Sequence, residues 1–365
     1  MKKLKIQNYT GCLLGGAIGD ALGAPIEFHG LDEIRSEFGK NGVTDYVEFN
    51  NGKGKFTDDT QMTLFTAEAF LRAYHRLVLR GIGGIPDEIA YGSYLRWLKT
   101  QGLEPRKETS DTIYFDTKGW LMKQKILYED RAPGKTTINA LFNGIKGTID
   151  KPINDSKGCG TVMRIAPVGL MLEGNNKLAF QTGCKIAAMT HGHPTGYLSA
   201  GFLASVISDL AVGKKLLKAI ENAKELLISW KNNDETMTAV NRAVDLFYNV
   251  KTNNSPVSAE LIESLGSGWI AEEALSISLF ASLIFENDFK NGIIFAVNHS
   301  GDSDSTGAIT GNILGLINGE EKIPQKWITN LIGNEIVKQV GEDLYIKAPD
   351  NIYENLDWDE KYPPL

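Results

Sequence analysis

Apolar residues at helical spacing dominate the chain. The pattern holds over residues 61–79 and 271–285, and residues 198–210 form a mostly apolar run without proline. Few segments show the alternation of apolar and polar residues that is typical of strands. The pattern therefore predicts a mainly α-helical protein.

Glycines interrupt two of the helical segments at a regular spacing. They recur every fourth residue, at Gly11, Gly15, Gly19 and Gly23 and again at Gly307, Gly311 and Gly315. Glycine inside a helix costs about 1 kcal/mol relative to alanine, so the spacing indicates a compensating contact. We expect two central helices whose backbones pack closely along these glycines.

Breaks between the helical segments are short. Asn, Gly and Pro residues mark loops at residues 50–52, 132–134 and 252–256. None of these loops is long enough to be an interdomain linker. We therefore expect residues 1–365 to form a single domain.

Composition and charge narrow the class of protein. Of the 365 residues, 42% are hydrophobic, and the formal net charge of −7 without a Lys/Arg block argues against a nucleic-acid partner. Three cysteines without a CxxC pair indicate a reducing compartment and argue against a thiolate metal site. The apolar stretch 12–26 contains Asp20 and is shorter than the ~20 residues of a membrane span. We expect a core helix there and a cytoplasmic protein without a membrane partner.

Thr57, Asp58, Asp59 and Thr60 form a cluster of hydroxyls and carboxylates where a loop leads into a helix. N-capping is one interpretation, since Thr and Asp are favoured at helix starts. A cap needs only one side chain, however, and two adjacent carboxylates repel each other unless a cation lies between them. A cation site is the second interpretation.

A similar cluster, Asp302-Ser303-Asp304-Ser305, leads into the second glycine-lined helix. A solvated turn is the alternative here, and Ile313 at the position of the closing Glu argues against an EF-hand. Taken together, the two clusters offer four carboxylates and no thiolate. That donor set favours Mg²⁺ or Mn²⁺, and four carboxylates suit two ions.

Two further segments carry candidate binding groups. Residues 158–161, Gly-Cys-Gly-Thr, form a small-residue turn that is either a diphosphate cradle or a packing turn, and a helix-like stretch with Arg164 follows. His191 and His193 have no third nitrogen or sulfur ligand nearby, so a hydrogen-bonding or stacking role is favoured over zinc. A buried core histidine is the alternative for either residue.

Five motifs in this order resemble the ADP-ribosylglycohydrolase family. They lie at residues 15–28, 57–60, 163–167, 190–191 and 301–305, and the resemblance covers about residues 11–320. It implies an all-α, compact orthogonal bundle of many helices with a binuclear Mg²⁺ or Mn²⁺ centre in a cleft. Residues 321–365 are expected to form a helical, polar C-terminal extension.

The resemblance also implies roles for single residues. The implied metal ligands are Thr57, Asp58, Asp59, Asp302, Asp304 and Ser305, with Ser305 where many members have Thr. Glu27 matches a glutamate on a mobile loop and is a candidate for gating or water positioning, an ordinary surface acid being the alternative. Asp302 or Asp304 is expected to assist proton transfer.

Substrate contacts follow from the same resemblance. Those expected to bind ADP-ribose are Gly158, Cys159, Gly160, Thr161 and His191, with Cys159 where Asn is more frequent in the family. Trp269 is either a contact of the adenine or a core residue. Asp111 or Asp116 matches an acidic residue that recognises the guanidinium of a target arginine.

The implied reaction is hydrolysis of the N-glycosidic bond between ADP-ribose and a protein side chain. Residues 193–198 favour arginine as that side chain, and the expected partner is an ADP-ribosylated protein such as the target of an ADP-ribosyltransferase toxin. Two alternatives stay open. The chain could be a non-catalytic binding or immunity protein that sequesters a transferase or its modified target, or a metal-dependent phosphohydrolase for another nucleotide.

Overall fold

Helices provide the regular structure of the protein, whose computed structural model describes residues 4–83, 86–106, 116–129 and 131–364. Seventeen α-helices lie within these ranges. In chain order they are α1 Ile6–Gly23, α2 Leu31–Phe38, α3 Asp58–Arg80, α4 Pro86–Thr100, α5 Lys135–Phe142, α6 Ala166–Met171, α7 Asn176–Ala188, α8 Pro194–Leu210, α9 Leu216–Ile228, α10 Asp234–Asn253, α11 Ala259–Glu263, α12 Ala271–Ile284, α13 Phe289–Val297, α14 Ser303–Asn318, α15 Gln325–Asn330, α16 Asn334–Ile346 and α17 Leu356–Lys361. Strands are absent from the described ranges, where one isolated bridge pairs Gly158 with Ile270. The all-α prediction is confirmed.

The centre of the fold is the antiparallel pair of α1 and α14. A Cβ atom placed on Gly19 would lie 2.0 Å from the carbonyl oxygen of Gly307, and one on Gly11 would lie 2.5 Å from that of Gly315. Only glycine permits backbones to approach this closely. Both helices are buried on all sides, over residues 9–23 and 303–316. The predicted close packing of the two glycine-lined helices is therefore confirmed.

This pairing places the C-terminal end of α1 beside the N-terminal end of α14. A Cβ on Gly23 would lie 2.2 Å from the carbonyl oxygen of Ser303. The start of α3 meets the same point, because Asp20 of α1 accepts a hydrogen bond of 2.8 Å from the backbone N–H of Thr57. Three chain segments that are far apart in sequence thus converge at one place.

The remaining helices surround this pair. α8 is buried over residues 195–210, as expected for an apolar helix in a core, whereas α9 and α10 bury one face each. One cluster of buried apolar side chains extends from Tyr9 to Tyr362. None of the helices in the described ranges combines the length and the apolar composition needed to cross a membrane.

Residues 321–364 pack on the helices that precede them. They contain α15 to α17, and Gly341 of α16 lies against the backbone of Thr10 in α1. The buried Tyr362 donates a hydrogen bond of 2.6 Å to Asp343, and its carbonyl lies 2.6 Å from Nδ1 of the buried His75 in α3. The C-terminal extension and the single-domain interpretation both stay predictions.

Two local predictions need correction. The loop expected at residues 252–256 begins later, because α10 continues to Asn253 and ends at Asn254, which has a left-handed conformation with φ +50°. The Asn residues there terminate the helix. Arg164 lies in a turn between the short 3-10 helix Cys159–Thr161 and α6, so the expected helix starts only at Ala166.

Candidate metal centre and active site

The two predicted clusters lie at helix N-termini. Thr57 is the N-cap of α3, and its hydroxyl accepts a hydrogen bond of 3.3 Å from the backbone N–H of Asp59. Asp302 is the N-cap of α14 and accepts one of 3.3 Å from the N–H of Ser305. Capping therefore explains Thr57 and Asp302. It does not explain the further carboxylates Asp58, Asp59 and Asp304.

Asp304 lies at the centre of a single acidic group. Five other carboxyls have raised pKa values, for which burial is the largest cause and the charge of Asp304 the second largest. They are Asp20, Glu27, Asp58, Asp59 and Asp302. Carboxyl oxygens of Glu27, Asp302 and Asp304 lie within 4.8 Å of one another. The structure thus brings Glu27 and both clusters together, although more than 240 residues separate the clusters along the chain.

The acidic group has no ion-pair partner in the described ranges, although the charges of Arg131 and Arg164 act on Asp20 and Asp58. Asp58, Asp59, Asp302 and Asp304 are at most 5% exposed, and within the described ranges no Lys, Arg or His forms a salt bridge with any of the six carboxyls. Burial and then the charge of Asp304 raise the pKa of Asp20 to about 7 and that of Glu27 to about 10. The carboxyls therefore cannot all ionise together unless cations join them.

The donor atoms fit hard divalent ions. One carboxylate oxygen of Asp59 is buried and has no hydrogen-bond partner among the described residues, an arrangement that a bound cation would satisfy. The hydroxyls of Thr57 and Ser305 add neutral oxygen donors at the two helix starts. Carboxylate and hydroxyl oxygens are the ligands that Mg²⁺ and Mn²⁺ prefer.

The turn at residues 158–161 borders this group. Its Cys159 sulfur lies 2.7 Å from a carboxylate oxygen of Asp302, and its Cys159 N–H donates a hydrogen bond of 3.1 Å to the carbonyl of Trp269. Burial, followed by the charges of Asp302 and Asp59, raises the pKa of the Cys159 thiol well above its usual range. The turn is thereby held against both the acidic group and the chain that precedes α12.

His191 packs against the same turn. A Cβ placed on Gly158 would lie 3.4 Å from Nε2 of His191, and the other ring nitrogen lies 2.8 Å from the hydroxyl of Thr190. Burial and the charge of Arg164 lower the pKa of His191 to about 3, so the ring is neutral at physiological pH. His193 instead caps α8, where its ring accepts a hydrogen bond of 3.2 Å from the N–H of Thr195.

A cleft of about 790 Å³ opens next to the turn. Thr136, Asn139, Asn154 and Ser156 are among its lining residues, and no carboxylate of the acidic group lines it. The loop before α5 connects the two regions, because Gly134 donates a hydrogen bond of 3.4 Å to Asp58 two residues before Thr136. The cleft has the size of pockets that hold nucleotide-sized ligands.

Comparison with known proteins decides the family. The family model described as ADP-ribosylglycohydrolase matches residues 1–353, a longer span than the motifs alone indicated. The chain belongs to the ADP-ribosylglycohydrolase family. Membership supports hydrolysis of ADP-ribose linkages as its activity, and the acidic group is its candidate metal site.

Relatives of this ADP-ribosylglycohydrolase include two named enzymes. It is 24% identical over 343 residues to ADP-ribosylarginine hydrolase Tri1 of Serratia proteamaculans, covering 93% of this chain and 79% of the relative. It is 24% identical over 345 residues to ADP-ribosyl-[dinitrogen reductase] glycohydrolase of Rhodospirillum rubrum, covering 93% and 96% of the two chains. A solved structure titled ADP-ribosylglycohydrolase-related protein complex aligns with a TM-score of 0.63 at 23% identity, over 94% of this chain and 98% of that chain, and supports the fold.

Trp269 lies at the edge of the acidic group. Its ring is 38% exposed and stacks on Phe28, 77% exposed, with ring centroids 5.2 Å apart at an angle of 24°. Phe28 directly follows Glu27, and Gly268 lies against Asp302. An exposed aromatic pair therefore flanks the acidic group, so Trp269 is not a core residue.

Asp111 and Asp116 are the two candidates for recognition of the guanidinium, and the structure describes only the second. Asp111 lies outside the described residues. Asp116 forms an ion pair of 2.6 Å with the buried Arg72. Arg72 follows Asp58 by fourteen residues in α3, about 21 Å along the helix axis. Asp116 is therefore separated from the acidic group.

Asp20 is a site residue that sequence reasoning missed. One of its carboxylate oxygens accepts from the N–H of Thr57, and the other accepts from the N–H and the hydroxyl of Thr60. The available signal was a lone acid in an otherwise apolar, glycine-lined helix. Such an acid argues against a membrane span, and it is also a candidate partner for a helix N-terminus.

Proposed function

We propose that this ADP-ribosylglycohydrolase cleaves the N-glycosidic bond between ADP-ribose and a modified arginine of a protein, at a centre of two Mg²⁺ or Mn²⁺ ions. The observation that carries the proposal is a group of six carboxyls, five buried and Glu27 half-buried, that forms no salt bridge among the described residues and lies beside a neutral histidine and a nucleotide-sized cleft. Such a group is stable in ionised form only with cations.

The ions would be held by the oxygens of Thr57, Asp58, Asp59, Asp302, Asp304 and Ser305. When bound, they would supply an activated water and hold the ribose hydroxyls. Asp302 or Asp304 accepts the proton of the attacking water, and Glu27, whose carboxyl lies within 4.8 Å of both, orients that water. Negative charge on these carboxylates also stabilises the positive charge that develops on the ribose as the bond breaks.

The turn and the cleft bind the remainder of ADP-ribose in this proposal. The Gly158 and Cys159 N–H groups already donate to Ser156 and Trp269, so the N–H groups of Gly160 and Thr161 are those that would face the diphosphate. The glycines of the turn leave room beside the His191 ring. The adenosine extends into the cleft lined by Asn139 and Asn154. Trp269 contacts the ligand from the metal-centre side, where its exposed face can stack on a ring or a guanidinium.

The names of two relatives support a modified protein as the substrate, and one of them supports arginine as the acceptor. One is an ADP-ribosylarginine hydrolase and the other acts on ADP-ribosyl-dinitrogen reductase. We infer that the partner is an ADP-ribosylated protein, such as the target of an ADP-ribosyltransferase toxin. The three free cysteines are consistent with a cytoplasmic, reducing location for this activity.

The test is ADP-ribose release from defined arginine-linked and serine-linked substrates, measured by mass spectrometry. Asp58→Ala and Asp302→Ala should each lower release by more than about 10²-fold, and EDTA should abolish it in the wild-type protein. Glu225→Ala, at an exposed position of α9, is the matched control.

Three results would contradict the proposal. Undiminished release by the Asp58 and Asp302 variants would remove the metal mechanism. A stable wild-type complex with the modified protein and no release would instead indicate a binding or immunity protein. Phosphate release from a nucleotide without free ADP-ribose would indicate a phosphohydrolase.

A further inference from the structure

A sulfur atom lies among the carboxylates of the candidate metal centre. Cys159 Sγ is 2.7 Å from a carboxylate oxygen of Asp302 and 3.6 Å from the hydroxyl of Ser305. An oxygen ligand lies about 2.1 Å and a sulfur ligand about 2.3 Å from the ion that binds it, so an oxygen and a sulfur on one ion are at most about 4.4 Å apart. The sulfur and the Asp302 oxygen are therefore close enough to bind the same ion.

The position of this sulfur is fixed by the backbone. Cys159 starts the short 3-10 helix, and its N–H donates to the carbonyl of Trp269. The chain on either side is held by the hydrogen bond of 2.8 Å from the N–H of Ala271 to the carbonyl of Lys157. The other two cysteines, Cys12 and Cys184, are buried in the apolar core.

A second observation indicates a ligand at this place. The buried carboxylate oxygen of Asp59 that has no hydrogen-bond partner belongs to the same group, since Asp59 lies within electrostatic range of both Cys159 and Asp302. A hydrogen bond between Cys159 and Asp302 does not satisfy that oxygen. A cation bound by Asp302 would also lie within reach of the sulfur.

We propose that Cys159 Sγ is a ligand of this centre, and that the centre therefore binds thiophilic ions such as Zn²⁺ and Co²⁺ more tightly than its oxygen donors alone would. The proposal rests on the metal centre proposed above. Thiolate sulfur favours these ions, whereas Mg²⁺ keeps to oxygen ligands. The thiol proton passes to solvent as the sulfur–metal bond forms, so no oxidant or reductant is involved.

Cobalt provides a direct readout that is independent of catalysis. We would titrate the full chain with Co²⁺ and record its absorption spectrum, in which a cobalt–thiolate bond gives an intense charge-transfer band in the near ultraviolet. The wild-type protein should show this band, and Cys159→Ser should lose it. The Co²⁺ and Zn²⁺ affinities of Cys159→Ser should fall roughly 10–100-fold, measured by competition with a chelator.

Mg²⁺ and a second cysteine serve as controls. Mg²⁺ affinity should change by less than about threefold in Cys159→Ser, because that ion gains little from sulfur. Cys184→Ala should keep the charge-transfer band, and Cys159→Ala provides a second substitution whose folding is checked by circular dichroism. A merely structural role of Cys159 would affect all three ions equally.

The outcomes separate this proposal from the one on which it rests. Co²⁺ binding without a charge-transfer band, with equal affinity in Cys159→Ser, would overturn the sulfur ligand and leave an oxygen-ligated centre in place. Absence of any binding of Co²⁺, Zn²⁺ or Mg²⁺ would overturn the metal centre itself.

Discussion

The carboxylate of Asp20 accepts hydrogen bonds from both the backbone N–H and the hydroxyl of Thr60, at 3.0 and 2.5 Å. Asp20 belongs to α1, and Thr60 lies in the first turns of α3. A carboxylate is favoured at a helix N-terminus, so this contact fixes α3 against the glycine-lined pair. Asp20 thereby positions Asp58 and Asp59 relative to Asp302 and Asp304.

Replacing Asp20 by Asn tests this positioning role. The amide retains one acceptor, so either Thr57 or Thr60 loses its partner and the start of α3 shifts. We expect the affinity for Mn²⁺ to fall roughly 10–100-fold, as for other residues that orient metal ligands. Calorimetric titration measures this change, with Asp245→Asn on the exposed face of α10 as the control. An unchanged Mn²⁺ affinity would contradict the role.

The stability of the ion-free protein should depend on pH. Folding raises the pKa of Asp20 to about 7 and that of Glu27 to about 10, through burial first and the charge of Asp304 second. A carboxyl with a raised pKa binds more protons in the folded state than in the unfolded state. Its contribution to stability is therefore present below the unfolded pKa near 4 and is lost as pH rises through the folded pKa.

Melting temperatures in EDTA should accordingly fall between about pH 4 and pH 10, and Mn²⁺ should restore them at the alkaline end. Thermal unfolding across this range, with and without Mn²⁺, is the measurement. Equal pH profiles in the two conditions would show that the acidic group does not hold a cation.

The close approach of α1 and α14 predicts a large effect of one methyl group. In Gly19→Ala the added Cβ would lie 2.0 Å from the carbonyl oxygen of Gly307, so the helices must separate. We expect the free energy of unfolding to fall by about 1–3 kcal/mol or more. Gly30→Ala is the control in denaturant unfolding, because its Cβ would meet no atom closer than 3.7 Å. Equal losses in the two variants would exclude this explanation.

The sequence predicted those features of the protein that have local signals. Glycines at every fourth residue predicted the contact between α1 and α14. The paired acids predicted that the starts of α3 and α14 lie together. The hydrogen bond from Thr60 to Asp20 joins residues 40 apart, and that from Cys159 to Asp302 joins residues 143 apart. Such contacts depend on how the helices pack, which no local pattern specifies. The ion pair between Asp116 and the buried Arg72 is another such contact, because the sequence around Asp116 gives no indication of Arg72.

His191 should act as a neutral side chain. Because its pKa is lowered to about 3, it does not titrate between pH 5 and 8, and KM for the ADP-ribosylated substrate should show no histidine-like transition there. His191→Ala should raise KM about tenfold with little change in kcat, because the contact is with bound ligand rather than with the reacting bond. Steady-state kinetics across this pH range measure both. A transition near pH 6.5 that disappears in His191→Ala would contradict this assignment.

Glu27 lies close to the proposed metal centre but belongs to neither of the clusters at the starts of α3 and α14. Its role can therefore be distinguished from that of a metal ligand. Its carboxyl lies within 4.8 Å of Asp302 and Asp304, while the chain continues directly into the exposed Phe28. If Glu27 orients the attacking water, Glu27→Gln should lower kcat about 10²-fold and leave the Mn²⁺ affinity nearly unchanged. Glu37→Gln, at a position 59% exposed on α2, is the control for kcat and for calorimetric Mn²⁺ binding. A parallel fall in Mn²⁺ affinity would make Glu27 a metal ligand, and unchanged kinetics would make it an ordinary acid at the edge of the site.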